Sequence, residues 1–290
     1  MVALEVPVEK IPYIRTIEGR KFRAGKWEFP DSAITKLQQY GLIDANIEIP
    51  KKEIVHYELS PHLRKYQKDI VNKALNEGSY GIFADTGTGK TLMGLEIAKH
   101  YGKTLILCPL SVIETAWVDD CKKFYPELKI TNCWATSSKK RFDAIDIDSD
   151  VYVMNYESFK ILKNKILAMD FQCVIVDESQ VMKNMGAQIT NELLQLIDVI
   201  THRFVLSGTP TPNHNSEIFP QMKFVDADIF GNNFFGFQAH YFTQDMQNPH
   251  RWYQTQENKE AYFNRLREKS VFLKKEDCVD LPPKVFQIKE

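Results

Sequence analysis

Paired cysteines are missing from this sequence of 290 residues. Its five cysteines are odd in number, and no two of them are spaced C-x-x-C. Disulfide frameworks and zinc sites use paired or clustered cysteines, so the sequence predicts neither. Cys108 and Cys173 lie inside apolar runs, where a thiol packs as a small apolar group. This cysteine usage favours a reducing compartment.

Long apolar runs are also missing. No run approaches the roughly 20 residues that cross a bilayer, and the first residues, Met1–Lys10, lack the basic and then apolar pattern of a signal peptide. The sequence therefore predicts a soluble intracellular protein with no membrane partner.

An excess of either charge is missing as well, because 37 basic and 38 acidic residues give a net charge of −1. This total neither favours nor excludes nucleic acid as a partner, since a neutral chain can carry a local basic patch. The length suggests about two domain-sized units, and 43% hydrophobic residues are enough for a sizeable core.

The most informative feature that the sequence does contain is a glycine-rich stretch between an apolar run and an amphipathic segment. It reads Ala84-Asp85-Thr86-Gly87-Thr88-Gly89-Lys90-Thr91. A strand, a tight turn and a helix in this order are typical of a phosphate-binding loop, whose N–H groups and helix N-terminus attract an anion. Lys90 can reach the β- and γ-phosphates, and the Thr91 hydroxyl can ligate Mg²⁺. Ala84 replaces the usual first glycine, and a chance glycine-rich turn is the alternative interpretation.

A pair of acids, Asp177 and Glu178, follows the apolar run Val174–Val176. Adjacent carboxylates repel one another unless a cation lies between them, so the pair indicates a metal. Asp177 would hold Mg²⁺, and Glu178 would orient and activate the attacking water. The alternative is that the two acids simply end a strand.

Two further signals accompany these. Ser207 and Thr209 follow the apolar run Phe204–Leu206, and Gln67 offers the donor and the acceptor that suit the edge of adenine. Taken singly, each is explained at least as well by an ordinary structural role.

Short apolar runs alternate with amphipathic segments from residue 56 onward. The runs are apolar without alternation, so they predict an α/β fold with a doubly wound parallel sheet that helices cover on both faces. The predicted strands are Tyr80–Ala84, Thr104–Cys108, Ile130–Trp134, Val151–Met154, Cys173–Val176 and Arg203–Leu206. The predicted helices are Pro61–Asn76, Thr91–His100, Ser111–Phe124, Tyr156–Ala168 and Ala187–Ile197. Ligands of such sheets bind at the carboxyl ends of the strands, where the signals above lie.

Residues 1–55 predict a small accessory module of the α+β type. Its predicted elements are strands at Ile11–Ile17 and Lys21–Phe29, a helix at Ala33–Tyr40 capped by Gly41, and an edge strand at Ile47–Ile49. The hairpin carries basic residues beside aromatic ones, a combination that suits phosphate neutralisation and stacking. Its candidates for DNA contact are Arg20, Lys21 and Arg23. A solvated hairpin face is the alternative interpretation.

Taken in order, these signals resemble the motifs of superfamily 2 helicase-like ATPases, specifically the Swi/Snf-like branch of double-stranded DNA translocases. The segments that carry the resemblance are Leu63–Gln67, Asp85–Thr91, Leu107–Ser111 with Trp117, Met154–Glu157, Asp177–Gln180, Leu206–Pro210, Asn213, Glu217–Phe219, Phe224–Asp226, Asp228–Gly231, Phe272–Lys275 and Leu281–Lys284. Two departures are Gln180, where many members have His, and Pro212, where Gln is usual. The amino-terminal hairpin is similar to the substrate-recognition modules of annealing or fork-remodelling relatives.

The resemblance implies a RecA-like first helicase lobe that uses ATP and Mg²⁺. The implied ATP contacts are Arg64, Gln67, Thr86, Gly87, Thr88, Gly89, Lys90, Thr91 and Gln180. Thr91 and Asp177 would ligate Mg²⁺, while Lys90, Asp177 and Glu178 would act in catalysis. The implied contacts to the DNA backbone are Pro109, Ser111, Asn155 and Tyr156. Ser207 and Thr209 would couple the nucleotide to the DNA, and Gln180 offers hydrogen bonds that could link the acidic pair to them.

The resemblance also implies an incomplete enzyme. Residues 56–230 would form the ATP-binding lobe, and residues 231–290 a helical extension and a segment leading to a second lobe that is absent here. In this superfamily the second lobe supplies arginine fingers, so we expect a fragment, or a natural half that needs a second lobe in cis or in trans.

The expected function is ATP-dependent translocation on, or helicase-like remodelling of, duplex, branched or forked DNA. The expected location is the cytoplasm of a prokaryotic or phage-infected cell, or a nucleus. One alternative is a nucleotide-gated DNA-binding module without turnover. Another is a different phosphate-loop enzyme, such as a small-molecule kinase.

Overall fold

The computed structural model describes most of the chain. The described residues are 2–7, 10–14, 17, 20–23, 26–29, 33–43, 54–231, 233–248 and 251–278.

A seven-stranded sheet forms the centre of the main unit, and all of its pairings are parallel. Its strands, in chain order, are β4 (Tyr80–Ala84), β5 (Thr104–Cys108), β6 (Ile130–Asn132), β7 (Val151–Asn155), β8 (Cys173–Asp177), β9 (His202–Ser207) and β12 (Ser270–Leu273). Their order across the sheet is β12-β4-β9-β8-β5-β7-β6. Every residue of β4, β5, β7 and β8 is buried, which is why these strands read as unbroken apolar runs.

Helices cover both faces of the sheet. They are α3 (Lys65–Glu77), α4 (Lys90–Tyr101), α5 (Asp119–Phe124), α6 (Ser138–Ile145), α7 (Tyr156–Leu167), α8 (Gln188–Leu194), α9 (Ile218–Val225), α10 (Phe234–Tyr241) and α11 (Gln256–Glu268). Neighbouring residues of β4 show the two faces, because Ile82 belongs to one apolar cluster and Phe83 to the other. The predicted α/β class and doubly wound parallel sheet are therefore confirmed.

Three features of this unit differ from the sequence prediction. The helix predicted at Ser111–Phe124 is a 3-10 turn (Leu110–Val112), a π-helix (Ile113–Val118) and then α5. The first helix begins at Lys65, four residues after the predicted start. Helix α6 and strand β12 were not predicted, because each is short and its apolar pattern is brief.

Strand β12 comes from residues that were expected to lead away from the lobe, yet it pairs with β4 as an edge strand of the sheet. The proposed division between residues 56–230 and 231–290 stays a prediction. A two-stranded antiparallel ribbon, β10 (Thr243–Gln244) and β11 (Trp252–Tyr253), lies between α10 and α11 in the chain.

The amino-terminal module contains a three-stranded antiparallel sheet of β1 (Val2–Leu4), β3 (Lys26–Phe29) and β2 (Lys21–Arg23). The strand predicted at Lys21–Phe29 is thus a hairpin by itself. The strand predicted at Ile11–Ile17 is wrong, because Ile11–Ile14 is a short helix, α1. Ile14 and Ile17 are both buried, a spacing of three residues that suits one face of a helix.

Helix α2 (Ile34–Gln39) and its glycine cap are confirmed. Gly41 has a φ of +62°, and Leu42 N donates to Leu37 O at 2.9 Å, as in a left-handed helix end. The edge strand predicted at Ile47–Ile49 lies outside the described residues. None of the helices in the described part of the chain is long and apolar enough to cross a membrane.

Candidate active site

The glycine-rich stretch forms a loop between the end of β4 and the start of α4. Gly87 and Gly89 have φ values of +83° and +81°, a conformation that glycine adopts without strain. A Cβ at Gly89 would lie 2.2 Å from the Gln67 amide nitrogen, so a side chain there would displace the Gln67 amide from the loop. Buried Thr88 donates its hydroxyl to Asp85 O at 2.7 Å and closes the loop. This is the geometry of a phosphate-binding loop.

The Lys90 ammonium lies within this loop. It donates to Ala84 O at 2.7 Å and to Asp85 O at 3.4 Å. Gly208 lies close by, since a Cβ there would be 3.7 Å from the Lys90 nitrogen. Thr91 is half-buried in the first turn of α4, and Thr86 is exposed at the loop's surface. The positive charge is therefore held where an anion would enter the loop.

The residues predicted to contact adenine are tied to the same loop. Gln67 accepts from Arg64 N at 2.8 Å and donates to Thr88 O at 2.8 Å. Tyr66, which the sequence did not single out, also donates to Thr88 O, at 2.9 Å. The Arg64 side chain is exposed. The start of α3 thus fixes the phosphate loop, and contact between Gln67 and adenine stays a prediction.

Asp177 ends β8 with its carboxylate held from two sides. Trp117 donates its indole N–H to Oδ2 at 3.1 Å, and Glu178 N donates to Oδ1 at 3.0 Å. Only 8% of Asp177 is exposed. The pKa of Asp177 is raised to about 6, first because burial disfavours its charge and second because the Glu178 charge lies beside it. The Trp117 hydrogen bond, the Glu178 N hydrogen bond and the Lys90 charge partly oppose this rise. The site is short of positive charge, so a divalent cation fits it.

Glu178 occupies an unusual backbone conformation. Its φ is +52°, and within the described residues it is the one non-glycine residue with a positive φ. Such strain persists where surrounding contacts hold it, and it is found at active sites. Here Gln180 donates its amide to the Glu178 carboxylate at 3.0 Å.

A chain of hydrogen bonds continues from Glu178 to the end of β9. Ser207 donates its hydroxyl to the Gln180 amide oxygen at 2.7 Å, and Thr209 N donates to the Ser207 hydroxyl at 3.0 Å. The predicted link from the acidic pair to the Ser207 segment is confirmed. The side-chain amide of Gln180 therefore bridges Glu178 and Ser207, donating to the first and accepting from the second.

A second, buried link joins the same two segments. Ser179 donates to the Gln221 amide oxygen at 2.7 Å, and Gln221 donates to Pro210 O at 2.6 Å. Sequence reasoning missed Gln221, which is fully buried in α9. The available signal was a lone amide in the apolar helix Ile218–Val225. A buried amide is retained where its polar atoms have partners.

The residues predicted to contact DNA in this lobe lie at the ends of two neighbouring strands. Cys108 of β5 pairs in register with Asn155 of β7, so Pro109 and Asn155 lie close together at the carboxyl end of the sheet. Ser111 is exposed there. Asn155 is buried, and its side-chain oxygen caps α7 by accepting from Ser158 N at 3.1 Å.

Tyr156 faces inward at the same edge. Its hydroxyl donates to the backbone oxygen of Asp177, and burial raises its pKa well above the ordinary value. That hydroxyl therefore lies beneath the acidic pair, which leaves the backbone of Tyr156 for the predicted DNA contact. In the amino-terminal module, Arg20 donates to Ile17 O at 2.7 Å, while Lys21 and Arg23 belong to β2.

With this geometry in hand, comparison with known proteins identifies the family. A family model described as the SNF2-related domain matches residues 53–289. The chain belongs to this SNF2-related domain family. The match spans the phosphate loop, the acidic pair and the two links between β8 and β9, and it confirms the resemblance found in the sequence.

Curated relatives of this SNF2-related domain are much longer proteins. An SWI/SNF-related matrix-associated actin-dependent regulator of chromatin subfamily A-like protein 1 homolog from Caenorhabditis elegans is 34% identical over 179 residues, which is 60% of this chain and 26% of that protein. The chromatin-remodeling ATPase INO80 of Saccharomyces cerevisiae is 26% identical over 193 residues, which is 59% of this chain and 13% of that protein. The chain spans about a quarter or less of the curated relatives named here.

Solved structures share the fold. The Sulfolobus solfataricus SWI2/SNF2 ATPase core in complex with dsDNA superposes with a TM-score of 0.62 and 20% identity, over 77% of this chain and 47% of that one. The structure of the Sulfolobus solfataricus SWI2/SNF2 ATPase core domain gives a TM-score of 0.59 at 20% identity, over 81% of this chain and 49% of that one. The SNF2-related domain therefore has the predicted RecA-like fold.

Four arginines within or just after the predicted lobe, Arg203, Arg251, Arg265 and Arg267, have other contacts in the structure. Arg203 donates to four backbone oxygens, including Phe224 O at 2.7 Å, near the start of β9 and away from its carboxyl end. Arg265 donates to Ile229 O at 2.7 Å. Arg251 lies 4.0 Å from Asp245, and Arg267 lies over the Phe263 ring.

Proposed function

We propose that this chain binds and hydrolyses ATP with Mg²⁺ and uses the nucleotide to act on DNA, as the ATP-binding portion of a translocase or helicase-like remodelling enzyme. One observation carries the proposal. An unbroken hydrogen-bond chain runs from Glu178 through Gln180 and Ser207 to Thr209, beside the phosphate loop. The chain joins Glu178, which would activate the attacking water, to Thr209 in the segment that follows β9.

Nucleotide binding follows from the loop. The N–H groups of Gly87–Lys90 and the start of α4 would hold the phosphates, as backbone donors at a helix N-terminus do. The Lys90 ammonium would exchange the oxygens of Ala84 and Asp85 for phosphate oxygens. A charged acceptor forms a stronger hydrogen bond than a neutral carbonyl, so the exchange favours the bound state.

Thr91 and Asp177 would hold Mg²⁺, which neutralises charge on the phosphates when it is bound. Two donors, Trp117 N–H and Glu178 N–H, would hold the Asp177 carboxylate in one orientation. Glu178 would accept a proton from the attacking water, and its hydrogen bond from Gln180 would hold it in position. Loss or gain of the γ-phosphate would thereby move Gln180 and, through it, Ser207.

DNA is the proposed macromolecular partner. The support is the family match, together with a structural neighbour described as a complex with dsDNA. The proposed contact surface is the sheet edge at Pro109, Ser111 and Asn155, where backbone groups would position a strand without reading its sequence. Nuclear or prokaryotic location stays a prediction.

Full turnover is proposed to need a second lobe. The relatives named above are longer than this chain, and Arg203, Arg251, Arg265 and Arg267 have other contacts in the structure. A second lobe, in the same chain or in trans, would supply the missing positive charge at the γ-phosphate.

Two substitutions test the roles assigned to the nucleotide site. Lys90→Ala should abolish ATP binding measured by calorimetry, because the loop loses the cation held within it. Glu178→Gln should leave ATP affinity within about twofold but remove turnover, since Mg²⁺ ligation falls on Asp177 and Thr91. Lys99→Ala, in the same helix and paired with Glu127 at 2.7 Å, is the matched control and should bind normally. The role assignment fails if Glu178→Gln weakens binding as much as Lys90→Ala.

A nucleotide-gated DNA-binding module without turnover is the second candidate, because the chain covers only part of its relatives. Measuring ATP hydrolysis with and without duplex DNA, for this chain and for one extended by a second lobe, separates the two. DNA-stimulated hydrolysis by the extended chain supports the ATPase. Nucleotide-dependent DNA affinity with no hydrolysis in either chain supports the module. The family match argues against a small-molecule kinase.

A further inference from the structure

Strand β12 brings a second lysine to the phosphate loop. The pairing of β12 with β4 places Leu273 beside Ala84, and Asp85 N donates to Leu273 O at 3.0 Å. Two residues after Leu273, Lys275 N donates to the Asp85 carboxylate at 3.0 Å. Asp85 thus joins the loop to the backbone that follows β12, across 190 residues of sequence.

The side chain of Lys275 lies over the loop. Its Nζ is 3.6 Å and its Cε 3.8 Å from the position that a Cβ at Gly87 would take. Both Lys275 and Gly87 are exposed, so a bound nucleotide can approach them. Lys274 differs, because its ammonium pairs with Glu276 at 3.6 Å. Within the described part of the chain, Lys275 has no such carboxylate partner.

The charge of the loop explains what this lysine could do. A phosphate loop binds a polyanion, yet this one contains a carboxylate, Asp85, which repels phosphate. Lys90 supplies one compensating charge. Lys275 supplies another near Gly87, well within the roughly 8 Å over which physiological salt leaves charges unscreened.

We propose that Lys275 is a further phosphate-binding residue of the nucleotide site, delivered by β12 and fixed by the contact between its backbone and Asp85. The inference rests on the proposed function, since it assumes that the loop binds a nucleotide. Lys275 belongs to the pair of lysines, Lys274 and Lys275, that the sequence placed in a segment leading away from the lobe. The ligand group that it would contact is the polyphosphate of ATP or ADP.

The test compares Lys275→Ala with Lys274→Ala, which removes the same charge from the neighbouring residue. Calorimetric titration of the 290-residue chain with Mg·ATP, ADP and AMP measures the dissociation constants. We expect Lys275→Ala to weaken ATP binding roughly threefold to tenfold, the range typical of a partly exposed charge contact. The loss should shrink from ATP to ADP to AMP, because fewer phosphate charges remain. Lys274→Ala should change each constant by less than about twofold, and Lys275→Arg should retain affinity.

Outcomes separate this inference from the proposed function. If the unmodified chain does not bind ATP, the proposed function fails and the inference with it. If the unmodified chain binds ATP while Lys275→Ala and Lys274→Ala behave alike, the inference alone is overturned. An equal loss for all three nucleotides would also overturn it, because that result reports a displaced loop instead of a lost charge. Unfolding midpoints equal to that of the unmodified chain check that each variant is folded.

Discussion

At the residue scale, Asp177 combines two opposing requirements. To act as the proposed Mg²⁺ ligand its carboxylate must be charged, yet burial beside Glu178 raises its pKa to about 6. Trp117 and the Glu178 amide direct two N–H groups at it and partly offset the cost. The negative charge of this carboxylate is unfavourable while no cation is bound. A bound metal ion removes that cost, so the cost adds to the affinity for the metal.

The first prediction follows from the sign of this shift. The folded chain keeps a proton on Asp177 between pH 4 and 6, where the unfolded chain has lost it, so stability falls as pH rises through this window. The rise from 3.8 to about 6 corresponds to roughly 3 kcal/mol at most. In metal-free buffer, the unfolding free energy of the unmodified chain minus that of Asp177→Asn should therefore decrease by up to about 3 kcal/mol from pH 4 to pH 7.

Urea unfolding across this pH range measures the difference. Asn has one acceptor for two donors, which adds a constant cost, but that cost does not vary with pH. A difference independent of pH would show that Asp177 titrates normally. Adding Mg²⁺ at pH 7 should stabilise the unmodified chain and leave Asp177→Asn nearly unchanged.

At the scale of elements, the contact of α4 with the π-helix sets the position of Trp117. Gly94 of α4 faces the indole, and a Cβ there would lie 2.6 Å from one of its ring carbons. Trp117 is fully buried and bonded to Asp177, so it has little room to move. Because Gly94 has no side chain, the Trp117 indole can pack against α4 and donate its N–H to Asp177.

Gly94→Ala should accordingly destabilise the chain, even though alanine is the better helix former. We expect a loss of roughly 1–3 kcal/mol, as for overpacked cores. Gly236→Ala, in the first turn of α10, is the control, because a Cβ there meets nothing closer than 3.9 Å. It should stabilise by up to about 1 kcal/mol. Thermal unfolding of both variants checks this, and equal effects would refute the contact between α4 and Trp117.

The hairpin of β2 and β3 carries the third prediction. Replacing Arg20, Lys21 and Arg23 with Ala should weaken DNA binding similarly for unrelated sequences. If all three contact phosphates, the slope of log affinity against log salt should shrink by roughly 2–3 units. Fluorescence anisotropy over a salt series measures the slope.

A control triple removes the same charge from another part of the chain. Lys122, Lys123 and Lys129 are exposed; the first two lie in the last turn of α5, and Lys129 comes directly before β6. Their replacement by Ala should leave the slope nearly unchanged. If the hairpin triple behaves like this control, its basic residues are an ordinary solvated face.

At the scale of the whole molecule, the proposed nucleotide site lies at one end of the sheet, and none of the described arginines is assigned to the γ-phosphate. Its hydrolysis should therefore be slower than that of a version extended by a second lobe by about 10³-fold or more, the scale for loss of an arginine finger. ATP binding should persist, because the phosphate loop and Asp177 lie within one folded unit. Steady-state turnover with duplex DNA measures the ratio, and equal rates would require an arginine from this chain or from a neighbouring copy.

The sequence alone determined the class of fold and predicted which residues form the candidate site. Strands such as β4, β5 and β8 are buried on both faces, so they must be continuous apolar runs that can be read directly. The phosphate loop and the acidic pair are equally local, because spacing within a few residues fixes which groups a turn presents. Gly41 was readable for the same reason, since a helix end needs a left-handed residue.

Tertiary structure alone decided how these parts are joined. Trp117 and Asp177 are 60 residues apart, Ser179 and Gln221 are 42 apart, and Lys275 and Asp85 are 190 apart. The short run at β12 gave no sign that it would pair with β4. Contacts over such separations depend on the order of strands in the sheet, and a sequence pattern with a period of a few residues carries no information about that order.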